Sequence, residues 1–244
     1  MGNLFQTYLY HPILAALVWI YQTISFQDLG IAIVLLTVVV RVALLPLFWK
    51  SAKDQTILQA IQPKVKEIQE RHKEDREAQG RALMALYREH RVNPLSGILF
   101  LALQIPVFIA LFQIFTRELG NGVFDSRSFL GLVSLEERNF MVAVLAAGLQ
   151  YLQARLMPQA GKTNTSDKTD RFDSAKMTKI FGLVIGPAIT LIVLTPLPSA
   201  LGIYWIASTV FSIAQQIMIN RAVKDKILPA AILPHSPSTH GSHQ

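Results

Sequence analysis

The chain has 244 residues and no cysteine, which excludes a disulfide framework, a thiol nucleophile, a cysteine-based metal site and a lipidated N-terminal cysteine. It is 51% hydrophobic and only 16% charged, against about 25% charged in a soluble domain, so an ordinary soluble fold is excluded too. The formal charge of +7 points less to nucleic acid than to a membrane protein that gathers Lys and Arg in its cytoplasmic loops.

The opening, MGNLFQTYLYHP, has neither the basic n-region nor the small-residue cleavage site of a secretory signal. Phe5 to Ile24 is uncharged and long enough to span a bilayer. However, His11-Pro12 interrupts the run, and Gln6, Thr7, Gln22, Thr23, three tyrosines and Trp19 give it interfacial chemistry. Both a helix lying on the outer surface and a sixth span fit. Five spans follow: Leu29 to Trp49, Leu95 to Phe115, Phe140 to Met157, Ile180 to Pro196 and Ser199 to Ile219, the last two joined by a tight TPLPS turn.

The 50–93 loop holds ten Lys and Arg and seven acidic residues. Ile57, Ile61, Val65 and Ile68, then Leu83, Leu86 and Tyr87, recur at helical spacing. The charged cluster from Arg71 to Glu77 suits the turn of an antiparallel helical hairpin, and Pro94 sits where the next helix starts. By composition alone this hairpin reads as a solvated pair. The 158–175 loop is polar and predicted mobile, and the LPHSPSTHGSHQ end reads as disorder. Lys and Arg crowd the 50–93 loop, the 158–179 loop and the tail, whereas the 116–139 loop has three against four acidic residues. The positive-inside rule therefore places the first two loops and the C-terminus in the cytoplasm.

Arg41 is the informative residue. Twelve uncharged residues precede it, and eight more separate it from Lys50, which on a straight helix buries it about 12 Å below the cytoplasmic boundary. A cation there costs about 2.5–3.5 kcal/mol on insertion scales, so it faces protein or water. No span contains Asp or Glu. The polar groups available across the spans are Thr37, one turn away on the same face, and Gln104, Gln113, Gln150, Gln153, Thr190, Tyr204, Ser208, Thr209, Ser212, Gln215 and Gln216. That chemistry favours a hydrated groove over a proton relay, with a purely structural arginine as the other reading. Pro46, Pro106 and Pro187 can bend helices or free carbonyls. No span pairs His with Glu, no GxSxG or Walker pattern occurs, and the tail histidines follow no metal spacing. The chain is therefore expected to be no enzyme and to hold no metal or cofactor.

The stretch DLGIAIVLLTVVVRVALLPLFWKS, with Thr-x-x-x-Arg and a following proline, resembles the first core span of the YidC/Oxa/Alb membrane protein insertases. QAIQPKVKEIQERHKED and LYREHRVNPLSGILFLALQIPVFIALFQIF resemble that family's hairpin and second span, with its N-P-L-x-G and Q-x-P. ALGIYWIASTVFSIAQQIMINR is similar to the last core span. The resemblance covers about residues 5 to 221 and is to a bacterial form without a large outer domain and without a ribosome-binding tail. It implies an all-α polytopic inner-membrane protein: an N-terminal peripheral helix (1–28), a five-transmembrane-helix core (29–220) containing the cytoplasmic hairpin (50–93) and the cytoplasmic loop (158–178), and a short cytoplasmic tail (221–244). It also implies a hydrophilic substrate groove, open to cytoplasm and lipid and closed outside. Arg41, Thr37, Gln153, less surely Gln150, Tyr204 and Trp205 match the groove positions.

The function so implied is insertase and chaperone: hydrophobic segments and short outer tails of nascent membrane proteins pass from the cytoplasm into the bilayer. No nucleotide is consumed. The implied partners are those clients, the lipid bilayer, the ribosome, the signal recognition particle pathway and the Sec translocon, with no sequence-specific nucleic acid. The alternative from another class is a small channel or transporter with Arg41 in a substrate path. It would need a pore closed to lipid and usually shows internal repeats, and no such repeat is visible. A passive assembly scaffold is the third reading.

Overall fold

The computed structural model describes residues 2–156 and 180–226, and these are mostly helical. The mobile-loop expectation for 158–175 and the disorder expectation for the C-terminal end lie outside the described residues. The chain starts with α1 (Gly2–Phe5), runs through a π-helical turn (Gln6–Tyr10) and continues as α2 (His11–Thr23), so one nearly continuous helix fills the stretch. His11-Pro12 does not end it, because the π-helical turn just before Pro12 already interrupts the i to i−4 ladder where the proline lacks its N–H.

α3 (Leu29–Ala43) is capped by Asp28, whose Oδ1 accepts from the Ile31 N–H at 2.8 Å. The expected single span from Leu29 to Trp49 is corrected here. The helix breaks at Leu44, and α4 (Leu45–Ala60) departs at 71° with Pro46 in its first turn. Proline cannot continue the i to i−4 ladder and clashes with the preceding turn. α5 (Gln62–Arg71) and α6 (Arg76–Glu89) pack together around Ile57, Ile61, Val65, Leu86 and Val92. Asp75 caps α6 by accepting from the N–H groups of Glu77 and Ala78. Burial, and secondarily Lys64, holds the His90 imidazole below its usual range.

α7 (Ser96–Glu118) carries Pro106 within it. A loop follows, and α8 (Phe140–Leu156) is capped by Asn139. After the undescribed stretch, a second π-helical turn (Phe181–Ile185) leads into α9 (Gly186–Leu194), and α10 (Ser199–Lys226) runs well past the expected end at Ile219. α10 is the central helix and packs against α8, α3, α4 and α7. The main core joins α2, α3, α7, α8 and α10 around Leu17, Leu29, Ile33, Ile114, Phe115 and Leu201.

The all-α expectation meets one exception. β1 (Ser128–Phe129) and β2 (Val133–Ser134) pair antiparallel, with Phe129 opposite Val133. Leu130 and Gly131 at the tip take φ of 53° and 68°, which lets three residues reverse the chain. This loop is tied to the starts of two helices. The Ser199 and Ala200 N–H groups donate to the carbonyls of Glu137 and Leu135 at 2.9 and 3.1 Å, and the Leu130 N–H donates to Asp28 at 2.6 Å.

Gly30 and Gly202 allow close approach: a Cβ at Gly30 would run into the Phe129 side chain, and one at Gly202 into Val142. Gly202→Ala should therefore lower the melting temperature in detergent, an overpacking cost of about 1–3 kcal/mol. Adding Val142→Ala should recover most of that loss. A double variant as unstable as the single one would show that the α8–α10 contact does not set the cost.

Candidate functional site

The bend at Leu44 changes the setting of Arg41. Arg41 lies in the last turn of α3, two residues before its end. The final carbonyls of a helix are unsatisfied and carry its negative partial charge, so a guanidinium is favoured there. The residue is 5% exposed. α4 folds back beneath it and sets the Phe48 ring 4.9 Å from the guanidinium carbon, a cation–π contact. Opposite, α7 supplies Gln104. Its Oε1 accepts from Arg41 Nη2 at a long 3.4 Å, and its Nε2 donates to the Tyr204 hydroxyl of α10 at 2.6 Å. Because a guanidinium only donates, the amide must turn its oxygen to Arg41 and its nitrogen to Tyr204. One glutamine thus joins three helices.

These groups face a cavity of ≈ 20 Å³, room for about one water molecule. Its apolar walls are Ile13, Leu36, Val40, Leu44, Val107 and Leu111; its polar ones are Thr37, Arg41, Gln104, Tyr204 and Ser208. The Thr37 hydroxyl is engaged with its own helix, donating to the Ile33 carbonyl at 2.6 Å, so only its lone pairs remain for a guest. The Ser208 hydroxyl is buried and interacts with the Tyr204 hydroxyl one turn before it, outside ordinary hydrogen-bond geometry. A buried hydroxyl on a cavity wall without a well-formed hydrogen bond is an opening for a water or a polar guest.

Of the residues singled out in the sequence, Arg41, Thr37 and Tyr204 share this cavity, and Gln150, Gln153 and Trp205 do not line it. Gln150 accepts from Thr190, joining α8 to α9. Gln153 is half-buried on α8. Trp205 packs edge-to-face on Phe108, with centroids 5.8 Å apart. Gln104 and Ser208 had no assigned role in the sequence. The available signals were an amide two residues before Pro106 in an uncharged helix, and a hydroxyl one turn after Tyr204.

A second polar group lies at the root of the α5–α6 pair. Asp54 of α4 is 5% exposed, and its Oδ2 accepts from Ser96 Oγ at 2.6 Å and from the Asn93 N–H at 3.4 Å. Ser51 Oγ donates to the Ser96 carbonyl at 2.6 Å. On α10, Gln216 donates to Thr56 at 3.3 Å, and Asn220 to the Leu156 carbonyl at 2.8 Å. α4 is thus held to α7 and α10 by side chains that composition assigns to a solvated loop.

The family model described as 60Kd inner membrane protein matches residues 19–226. The chain belongs to that family. It is similar to the proteins named Membrane protein insertase YidC from Wolinella succinogenes (34% identical over 94% of this chain and 40% of the relative), Citrifermentans bemidjiense (32%, over 88% and 37%) and Maridesulfovibrio salexigens (32%, over 88% and 38%). The chain thus spans about two fifths of the length of these curated relatives. As a member of the 60Kd inner membrane protein family it is a polytopic membrane protein, and the matched region includes Arg41, Gln104, Tyr204 and the α5–α6 pair.

The Gln104 bridge makes an energetic prediction. Gln104→Met and Tyr204→Phe each remove one end of the 2.6 Å bond. A double-mutant cycle on detergent melting should return a coupling of about 1 kcal/mol. Strict additivity would mean the bond contributes nothing.

Proposed function

We propose that this chain is a membrane protein insertase and chaperone, not an enzyme. It eases hydrophobic segments and short polar outer tails of nascent membrane proteins from the cytoplasm into the bilayer. The observation that carries the reading is the buried Arg41 guanidinium facing a cavity beside Gln104, Tyr204 and the buried Ser208 hydroxyl. A client's polar atoms cost several kcal/mol apiece in hydrocarbon without a partner. A charged donor with neighbouring amide and hydroxyl groups lowers that cost for the moment of transit. The hydrophobic segment then partitions into lipid, which drives the step. The relatives' printed name supports the same activity.

In this reading α3, α7, α8, α9 with its π-helical lead-in, and α10 are the five spans, and the α5–α6 hairpin, the 158–178 loop and the C-terminus are cytoplasmic. The excess of Lys and Arg in those segments supports that orientation. The N-terminal helix lies obliquely on the outer side. Gln6 donates to Gln113 at 3.2 Å and Tyr10 to Glu118 at 2.7 Å, near the outward end of α7, while Ile13 reaches the cavity wall. Burial, then the bond to Glu118, pushes the Tyr10 hydroxyl up to about 12. The helix thereby closes the cavity from outside. Thr37 and Tyr204 complete the polar wall, with Gln150, Gln153 and Trp205 meeting the client further along its route. The hairpin receives the client, and ribosome, signal recognition particle and Sec translocon are its working partners.

The test is reconstitution in liposomes with two single-span clients that differ only in outer-tail charge. A unit charge about 8 Å from a carboxylate at an effective dielectric of about 20 is worth roughly 2 kcal/mol. Arg41→Ala should therefore lose on the order of tenfold more insertion with the acidic tail than with the neutral one, while Arg41→Lys keeps most activity. Equal losses for both clients together with a lowered melting temperature would make Arg41 structural and end the groove mechanism.

A further inference from the structure

The end of the molecule where α3, α8 and α10 begin carries a feature the insertase reading does not use. Phe26 is 96% exposed, Leu132 84% and Leu130 57%. The Asp28 side chain brings them together: Oδ1 caps α3 through Ile31 and Oδ2 accepts from the Leu130 N–H at 2.6 Å. Phe129 packs over Gly30, so the β-hairpin sits on the first turn of α3. From Ser128 to Leu135 the loop has no charge, and the flanking Arg127 and Glu136 pair with each other at 2.5 Å. The apolar surface continues along the chain into α8, whose first residues, Phe140 and Met141, are also exposed. Phe26, Gln27 and Leu130 all take positive φ, an unfavoured conformation for non-glycine residues.

We propose that Phe26, Leu130 and Leu132 form an outer anchor that inserts into the headgroup–acyl boundary of the outer leaflet and fixes the height of α3 in the bilayer. Three features select lipid as the occupant. The tip is apolar and uncharged, its flanking charges are mutually neutralised, and it lies level with the starts of three apolar helices, where the bilayer surface has to be. Short apolar side chains seated about 5–10 Å deep are what such a boundary accepts. Because the tip is bonded to the N-cap of α3, the helix that carries Arg41, the anchor holds that cation at a set depth. The inference rests on the five-span orientation proposed above.

The chain has no cysteine, so single labels can be introduced into the whole 244-residue chain in proteoliposomes. Leu132→Cys and, separately, Phe26→Cys would carry an environment-sensitive fluorophore, with Asn121→Cys as the reference in the same outer loop. The expected result is blue-shifted emission at positions 132 and 26, loss of most intensity with spin-labelled lipid bearing the nitroxide near the headgroup, and little quenching by aqueous iodide. Position 121 should show the reverse and react with an impermeant maleimide added outside. Iodide quenching at 132 and 26 with position 121 reactive from outside would overturn the anchor and leave the orientation intact. Shielding from both iodide and lipid quenchers would mean that protein covers the tip, which also overturns the anchor. Reaction of position 121 only from the lumen would overturn the orientation, and the anchor with it.

Discussion

A guanidinium stays charged in any protein environment, and Arg41 is buried. Its surroundings follow from the need to solvate it with protein. Ending α3 two residues later gives it the negative end of a helix dipole. The 71° bend that follows carries Phe48 back beneath it. Gln104 then satisfies a donor on one side while tying the site to Tyr204 on the other. The cation, the helix break and the glutamine bridge form one unit, so altering any of them changes the setting of the others.

α10 holds this unit in register. In lipid there is no hydrophobic force between helices, so association depends on close packing and on hydrogen bonds between them. α10 uses both. Gly202 lets α8 approach at one end, and Gln216 and Asn220 bond to α4 and α8 at the other. Between them, Tyr204 and Ser208 face the cavity. The Asp54–Ser96 bond completes the frame by fixing where α4 meets the start of α7. The hairpin therefore springs from an anchored root, and any freedom it has begins beyond Thr56.

The two ends of the bundle are built differently. Where α3, α8 and α10 begin, backbone N–H groups of the loop, α10 and the β-hairpin are tied to neighbouring carbonyls and to Asp28, and the N-terminal helix packs across the gap with Leu17, Ile20 and Tyr21 buried. At the other end the described surface is a small apolar cluster inside a charged helical pair. One end is closed by main-chain bonds and apolar packing. The other is held mainly by side chains.

Much of this protein is local, and so it was legible in one dimension. Runs of apolar residues fix the helices, and clustered Lys and Arg suggest which loops share a side. A lone arginine among apolar residues marks a site by its cost alone. Composition could not say which polar groups meet it, because helical period places Thr37 beside Arg41 but says nothing about α7 or α10. Gln104 and Ser208 were only one amide and one hydroxyl among many, and Gln150, equally placed on paper, bonds to Thr190 instead. Asp54 counted as one more loop charge until the fold buried it against Ser96. The break at Leu44 was half legible: Pro46 permits a bend, but its angle comes from packing α4 against α7 and α10. Sequence determined the helices and the presence of a buried cation, since both depend on near neighbours. Only the tertiary structure decided that Gln104 meets it, because that residue lies 63 positions away on another helix.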